Sequence, residues 1–109
     1  MKRLTRNGSA MIRHILLFSF RDTADHSARA SLLEALAGFP ARFPKMHKFQ
    51  IGANVSDRDR TFEYAMTVEF DERADLDDYL HSEYHEQFVV ERFRPLISQR
   101  AIATIEVRS

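Results

Sequence analysis

Apolar side chains alternate along residues 12–20: Ile12, Leu16, Phe18 and Phe20 share one parity with His14, and Arg13, Ile15, Leu17 and Ser19 take the other. A period of two predicts a strand. Both parities are rich in apolar residues, so the strand is expected to be covered on both sides. A lone two-layer domain cannot do that, which is the first pointer to a second copy of the chain.

A polar turn follows at residues 21–26, with Thr23 and Asp25 available as helix caps. A helix is predicted over 27–37, its apolar side formed by Ala28, Leu32, Ala35, Leu36 and Phe39 and its end set by Gly38 and Pro40. Residues 41–45 read as a loop and 46–55 as a strand with Phe49, Ile51 and Ala53 on one face. Gly52 inside that strand predicts a bulge or a close backbone approach. After a charged turn at 56–60, residues 61–70 alternate most clearly, with Phe62, Tyr64, Met66, Val68 and Phe70 set against Glu63, Ala65, Thr67 and Glu69. A helix over 74–80 uses Leu76, Tyr79 and Leu80, and Ser82 is a plausible cap that restarts the chain as another helix ending near Phe93, before Arg94-Pro95. The last strand spans 100–107, with Ala101, Ala103, Ile105 and Val107 on one face and Ile102 on the other.

The order β-α-β-β-α-α-β predicts an α+β, ferredoxin-like sandwich: a four-stranded antiparallel sheet with helices on one face. The helix-free face is too apolar to be left wet. Two such faces packed together would make a dimeric α+β barrel and bury strand edges, so a homodimer through the helix-free sheet face is expected.

The chain of 109 residues is long enough for one core. Sixteen basic and sixteen acidic residues cancel, so no overall field favours nucleic acid or a membrane surface. Apolar runs are far shorter than the ~20 residues of a membrane span. Cysteine is absent, which excludes a disulfide scaffold or thiolate metal site and fits a cytoplasmic setting. Residues 1–10 carry Lys2, Arg3 and Arg6 beside Asn7-Gly8-Ser9 and read as a flexible basic tail, leaving residues 11–108 as the domain.

The candidate chemistry lies at residues 79–93. His85, Phe88, Val89 and Phe93 fall on one helical face, so an imidazole interrupts an apolar stripe. Tyr79 lies six residues before it, and His14 points from the first strand into the same layer. Together these residues would line a small pocket with walls from Leu16, Phe18, Leu32, Leu36, Phe70 and Phe88. Each polar group admits two readings. His85 is either a general base, since imidazole titrates near neutrality, or a core histidine with one hydrogen bond. Tyr79 is either a donor to a substrate carbonyl or an amphipathic tyrosine with a wet hydroxyl. His81 and His85 have the i, i+4 spacing of metal ligands, but Ser82 is expected to break the helix between them, so no metal is expected. No phosphate loop or nucleophile elbow occurs, and no cofactor is called for.

The ordered set of residues 11–20, the Ile51-Gly52-Ala53-Asn54-Val55-Ser56 turn, Val68-Glu69-Phe70-Asp71, residues 76–89 and Phe93-Arg94-Pro95-Leu96 resembles the stress-responsive A/B barrel (Dabb) family of dimeric α+β barrels. The resemblance implies a homodimer. Through the family's polyketide cyclases it also implies a catalytic set at His14, Tyr79 and His85. A His-Pro pair common in the family between the tyrosine and the second histidine is replaced here by Ser82-Glu83. The implied activity is acid/base cyclisation or isomerisation of a small apolar or aromatic carbonyl compound. The competing functions are a non-catalytic stress-response or ligand-binding dimer and, by fold analogy alone, a monooxygenase-like barrel.

Overall fold

The computed structural model describes residues 11–107. The expected basic tail at residues 1–10 and the final residue of the expected domain, 108, lie outside them. Strands β1 (Ile12–Phe20), β2 (His47–Ala53), β3 (Tyr64–Phe70) and β4 (Ile97–Glu106) form one sheet in the order β2-β3-β1-β4, every neighbouring pair antiparallel. Helices α1 (His26–Ala37), α2 (Phe39–Arg42), α3 (Arg73–Leu80) and α4 (Glu83–Phe88) complete the α+β ferredoxin-like fold.

The pairing of β1 fixes which residues share the helix-covered face. His14 lies opposite Val68 on one side and Thr104 on the other; Leu16 lies between Met66 and Ile102, and Phe18 between Tyr64 and Arg100. Residues directly opposite in an antiparallel pair project to the same side. Phe18, Met66, Val68 and Phe70 are thereby buried against Leu32, Leu36, Leu76, Phe88 and Phe93 from the helical layer. Each such side chain contributes roughly 1.5–3 kcal/mol on burial. Phe18 stacks on Tyr64 at 5.6 Å between centroids and meets Phe93 edge-on at 5.5 Å.

Helix α1 starts where its sequence provides a cap: the Asp25 carboxylate accepts from the Ala28 amide at 2.8 Å. Gly38 ends it, but the chain does not enter a loop there. Pro40 sits in the first turn of α2, where its missing N–H costs nothing, so proline opens a helical turn within the segment expected to stop. The helical end of the domain also runs on further than expected. After α4 the backbone widens into a π-helical turn, Val89–Phe93, tightens into a 3₁₀ turn, Arg94–Leu96, and enters β4 at Ile97, three residues before the expected start.

Gly52 is not a bulge. It pairs regularly with Ala65, and a Cβ there would meet open space. The irregularity in β2 falls between His47 and Gln50, where Lys48 takes φ 50°, a left-handed conformation that costs a non-glycine residue on the order of 1 kcal/mol. The helix-free face presents Ile15, Leu17, Ala65, Ala101, Ala103 and Ile105. Ile15 and Leu17 are only half-buried, and Ile105 is 46% exposed.

Candidate functional site

Three elements place the candidate groups around one cavity. Alternation in β1 turns His14 inward, 4% exposed. Tyr79, also 4% exposed, comes from the last turn of α3, and His85 from the first turn of α4. The junction between these helices is Ser82. Its hydroxyl donates to the Tyr79 carbonyl at 2.8 Å and accepts from the His85 amide at 3.1 Å. One side chain therefore both closes α3 and caps α4, and this brings the Tyr79 and His85 rings edge to face with centroids 4.6 Å apart. A helix break followed by a cap is what Ser82-Glu83 encodes, so replacing the His-Pro pair leaves the junction intact.

The cavity has a volume of about 130 Å³ and is lined by His14, Tyr79 and His85 with Leu16, Leu36, Phe39, Met66, Leu80, Phe88, Val89, Phe93, Arg100 and Ile102. Leu16, Leu36 and Phe88 thus stand where the sequence placed them. Phe18 and Leu32 are fully buried in the core beside it and do not line it. Phe70 does not line it either; it stacks on Tyr79 at 5.8 Å and faces a neighbouring depression with Phe43. The parity of Ile102 is the sequence signal that carries Arg100 and Thr104 onto this face. Val89 and Phe93 bound the π-helical turn, whose extra residue periodicity does not foresee.

Hydrogen bonding fixes how the imidazoles can act. His85 Nδ1 lies 3.1 Å from the Leu80 carbonyl oxygen. A carbonyl only accepts, so Nδ1 carries the proton and, in the neutral ring, Nε2 keeps the lone pair. His14 Nδ1 lies 3.0 Å from Thr104 Oγ1, a group able to donate or accept. Burial lowers the pKa of both rings. His14 is lowered further by the charge of His85; His85 is pulled back up by the Leu80 carbonyl and Glu86, and pushed down again by His81. Both rings are therefore neutral at neutral pH.

Tyr79 is held fully protonated, its pKa pushed up by burial alone. Its ring packs edge-on against Phe43 at 4.8 Å and Phe39 at 6.1 Å. Its hydroxyl has no hydrogen-bond partner among the described residues. Buried polar groups are normally satisfied, so this hydroxyl stands out among the polar groups of the residues that line the cavity.

The remaining histidines stand apart. His81 caps the end of α3 with its ring Nδ1 donating to the Asp77 carbonyl at 2.9 Å, and no group of three metal-ligating side chains occurs among the described residues. His26 is exposed at the start of α1, whereas His47 opens β2 half-buried with Nε2 3.4 Å from Asp71. No helix among the described residues is long and apolar enough to cross a membrane.

Solved structures share this architecture. A Dabb-family protein with a ferredoxin-like fold from Mesorhizobium loti superposes with a TM-score of 0.81 at 17% identity, covering 92% of this chain and 99% of that one. A hydroxynitrile lyase from Passiflora edulis superposes with a TM-score of 0.82 at 17% identity, covering 92% and 95%. A protein of unknown function from Bacteroides fragilis, described as dimeric and ferredoxin-like, is 25% identical with a TM-score of 0.70, covering 89% and 96%. No curated protein matches the sequence. The model of the stress responsive A/B barrel domain matches residues 12–107, and the chain belongs to that family, Dabb.

Proposed function

We propose that the cavity carries out acid/base chemistry on a small apolar carbonyl compound, with His85 as the base, Tyr79 as the donor to the carbonyl oxygen and His14 assisting. The observation that carries this reading is the buried Tyr79 hydroxyl, without a partner among the described residues, on the wall that also holds two neutral imidazoles. In the step envisaged, the C–H bond next to the carbonyl breaks and its proton passes to His85 Nε2. The electron pair moves to the carbonyl oxygen, which accepts a hydrogen bond from Tyr79. That enolisation is the common first step of cyclisation and isomerisation. A void of roughly 150 Å³ in a protein interior holds a benzene-sized molecule, so a cavity of about 130 Å³ accommodates the reacting end of such a substrate. The existence of a hydroxynitrile lyase on the same fold supports a lyase-type chemistry here.

The test is α-proton exchange of phenylacetone in deuterated buffer, followed by NMR. Exchange should quicken with the wild-type protein and return to the buffer rate with His85→Ala and with Tyr79→Phe. A folded protein that binds the ketone without exchanging its protons would make the domain a non-catalytic holder of apolar ligands.

The homodimer through the helix-free sheet face belongs to the same proposal. Ile15, Leu17, Ala65, Ala101, Ala103 and Ile105 form an apolar, small-residue surface, and related structures are described as dimeric. Packing two such sheets would leave the cavity on the opposite, helix-covered side of each protomer.

A further inference from the structure

The cavity is not the only concavity at this end of the molecule. A groove of about 220 Å³ is lined by Arg21, Val89, Phe93, Arg94, Ile97, Ser98, Gln99 and Arg100. Val89, Phe93 and Arg100 line the groove and the cavity alike, so the two adjoin. Arg21 leaves the end of β1, Arg94 opens the 3₁₀ turn and Arg100 sits on β4 across from Phe18. The backbone locks these elements together: the Arg21 amide donates to the Leu96 carbonyl at 2.8 Å, and the β1–β4 register shifts at Ser19/Phe20.

The other polar groups of the groove are occupied. Ser98 Oγ donates to the Ser19 and Phe20 carbonyls at 3.2 and 3.3 Å, and Gln99 Nε2 donates to the Thr61 carbonyl at 2.7 Å. The three guanidinium groups are not occupied. No carboxylate lines the groove, and none of the three pairs with an acid among the described residues. In a chain whose charges cancel overall, this is a local positive field beside an apolar cavity.

We infer that the groove takes the anionic end of the ligand whose apolar carbonyl end enters the cavity, so that the substrate class is an apolar carbonyl compound with a carboxylate or phosphate tail. This rests on the cavity being a binding site, as proposed above. Guanidinium forks suit both oxyanions through paired hydrogen bonds, and all three arginines are exposed, which leaves them hydrated until the tail arrives. Arg100 stands at the junction and would set how far the ligand enters.

Octanoate, octyl phosphate and octanol, measured by isothermal titration calorimetry at low salt, form the test. The expected result is that one or both anions bind the wild-type protein about tenfold more tightly than octanol, the scale of two exposed charge contacts. That preference should disappear in Arg21→Gln/Arg94→Gln while octanol binds as before. Neither of these side chains makes a described contact, so the variant should fold, which circular dichroism checks. Whichever anion is preferred identifies the tail. Octanol binding equal to that of both anions, or an anion preference that survives the double variant, overturns the inference and leaves the cavity reading standing. Failure of all three to bind overturns both.

Discussion

Replacing Tyr79 by Phe separates a chemical role from a structural one because the two predict stability changes of opposite sign. The ring lies among Phe43, Phe70, Phe39 and His85, with centroids 4.8, 5.8, 6.1 and 4.6 Å away, and a Phe ring keeps every one of these contacts. What disappears is the hydroxyl of a residue that is 4% exposed, a hydroxyl with no partner among the described residues. Burying such a group costs about 1–3 kcal/mol, less where a solvent molecule satisfies it. Tyr79→Phe is therefore expected to leave stability unchanged or to raise it by about 1–2 kcal/mol. For a domain of this size each kcal/mol is worth about 4 °C in Tm. Urea midpoints compared at one fixed protein concentration provide the assay, since subunit association would contribute to stability. In parallel, α-proton exchange should be abolished. A loss of more than about 1 kcal/mol would show that the hydroxyl holds the fold together, and the assignment of Tyr79 as a waiting donor would fall. Tyr79→Ala is the control for the ring, expected to cost about 3–5 kcal/mol.

Other predictions follow from the same geometry. Ser82→Ala removes both the cap of α4 and the link to the Tyr79 carbonyl; it should cost about 1 kcal/mol and shift the His85 ring resonances, whereas Ser82→Thr should restore both. The pH dependence has a fixed sign. His14 and His85 are lowered from their ordinary value of 6.5, so the unfolded chain binds more protons than the folded one just below that pH, and stability falls as pH drops through 6.5 and levels off below the folded values. Thermal melts between pH 8 and 5 should show this, and His14→Leu should flatten it. The acid limb of the exchange rate should likewise lie below pH 6.5. Leu17→Arg, placed between Ala65 and Ala101 on the helix-free face, should turn a dimer into a monomer by sedimentation at micromolar concentration; a wild-type monomer there would refute the barrel.

The parts of this molecule legible in the sequence are those governed by a fixed period. Alternation assigned His14, Leu16 and Phe18 to one face of β1, and Tyr64, Met66, Val68 and Phe70 to the matching face of β3. Local capping chemistry located Ser82 and left Thr23 and Asp25 as the choices for α1, of which the structure uses Asp25, because a short oxygen-bearing side chain before a helix satisfies its free amides wherever it occurs. Features that depend on the third dimension were not readable. Whether Phe18 and Leu32 fill the core or border a void depends on how far the helices stand from the sheet, and side-chain pattern does not encode that distance. The π-helical turn at Val89–Phe93 departs from the 3.6 period on which the helical reading rests. Gly52 misled because glycine marks an irregular strand only on average; here the distortion sits at Lys48, which no propensity would nominate.

Backbone groups hold much of the site. The tautomer of His85 is set by the Leu80 carbonyl, its place in the first turn of α4 by the hydrogen bond its amide donates to the Ser82 hydroxyl, and the orientation of His14 by strand parity plus one hydroxyl, Thr104. For the two imidazoles, apart from Ser82 and Thr104, the positioning groups are main chain, whereas the Tyr79 ring is held by Phe39, Phe43 and Phe70. The fold itself recurs at 17% identity, with a TM-score of 0.81 over 92% of this chain. The apolar walls and the arginine groove are under no such control. They are side-chain features throughout, and under the reading proposed above it is there that specificity would be encoded. Exchange chemistry on a generic ketone should accordingly respond to His85 and Tyr79 and ignore Arg21 and Arg94, while discrimination between ligands should do the reverse. A variant of Arg94 that altered proton exchange on phenylacetone, which has no anionic tail, would break that division.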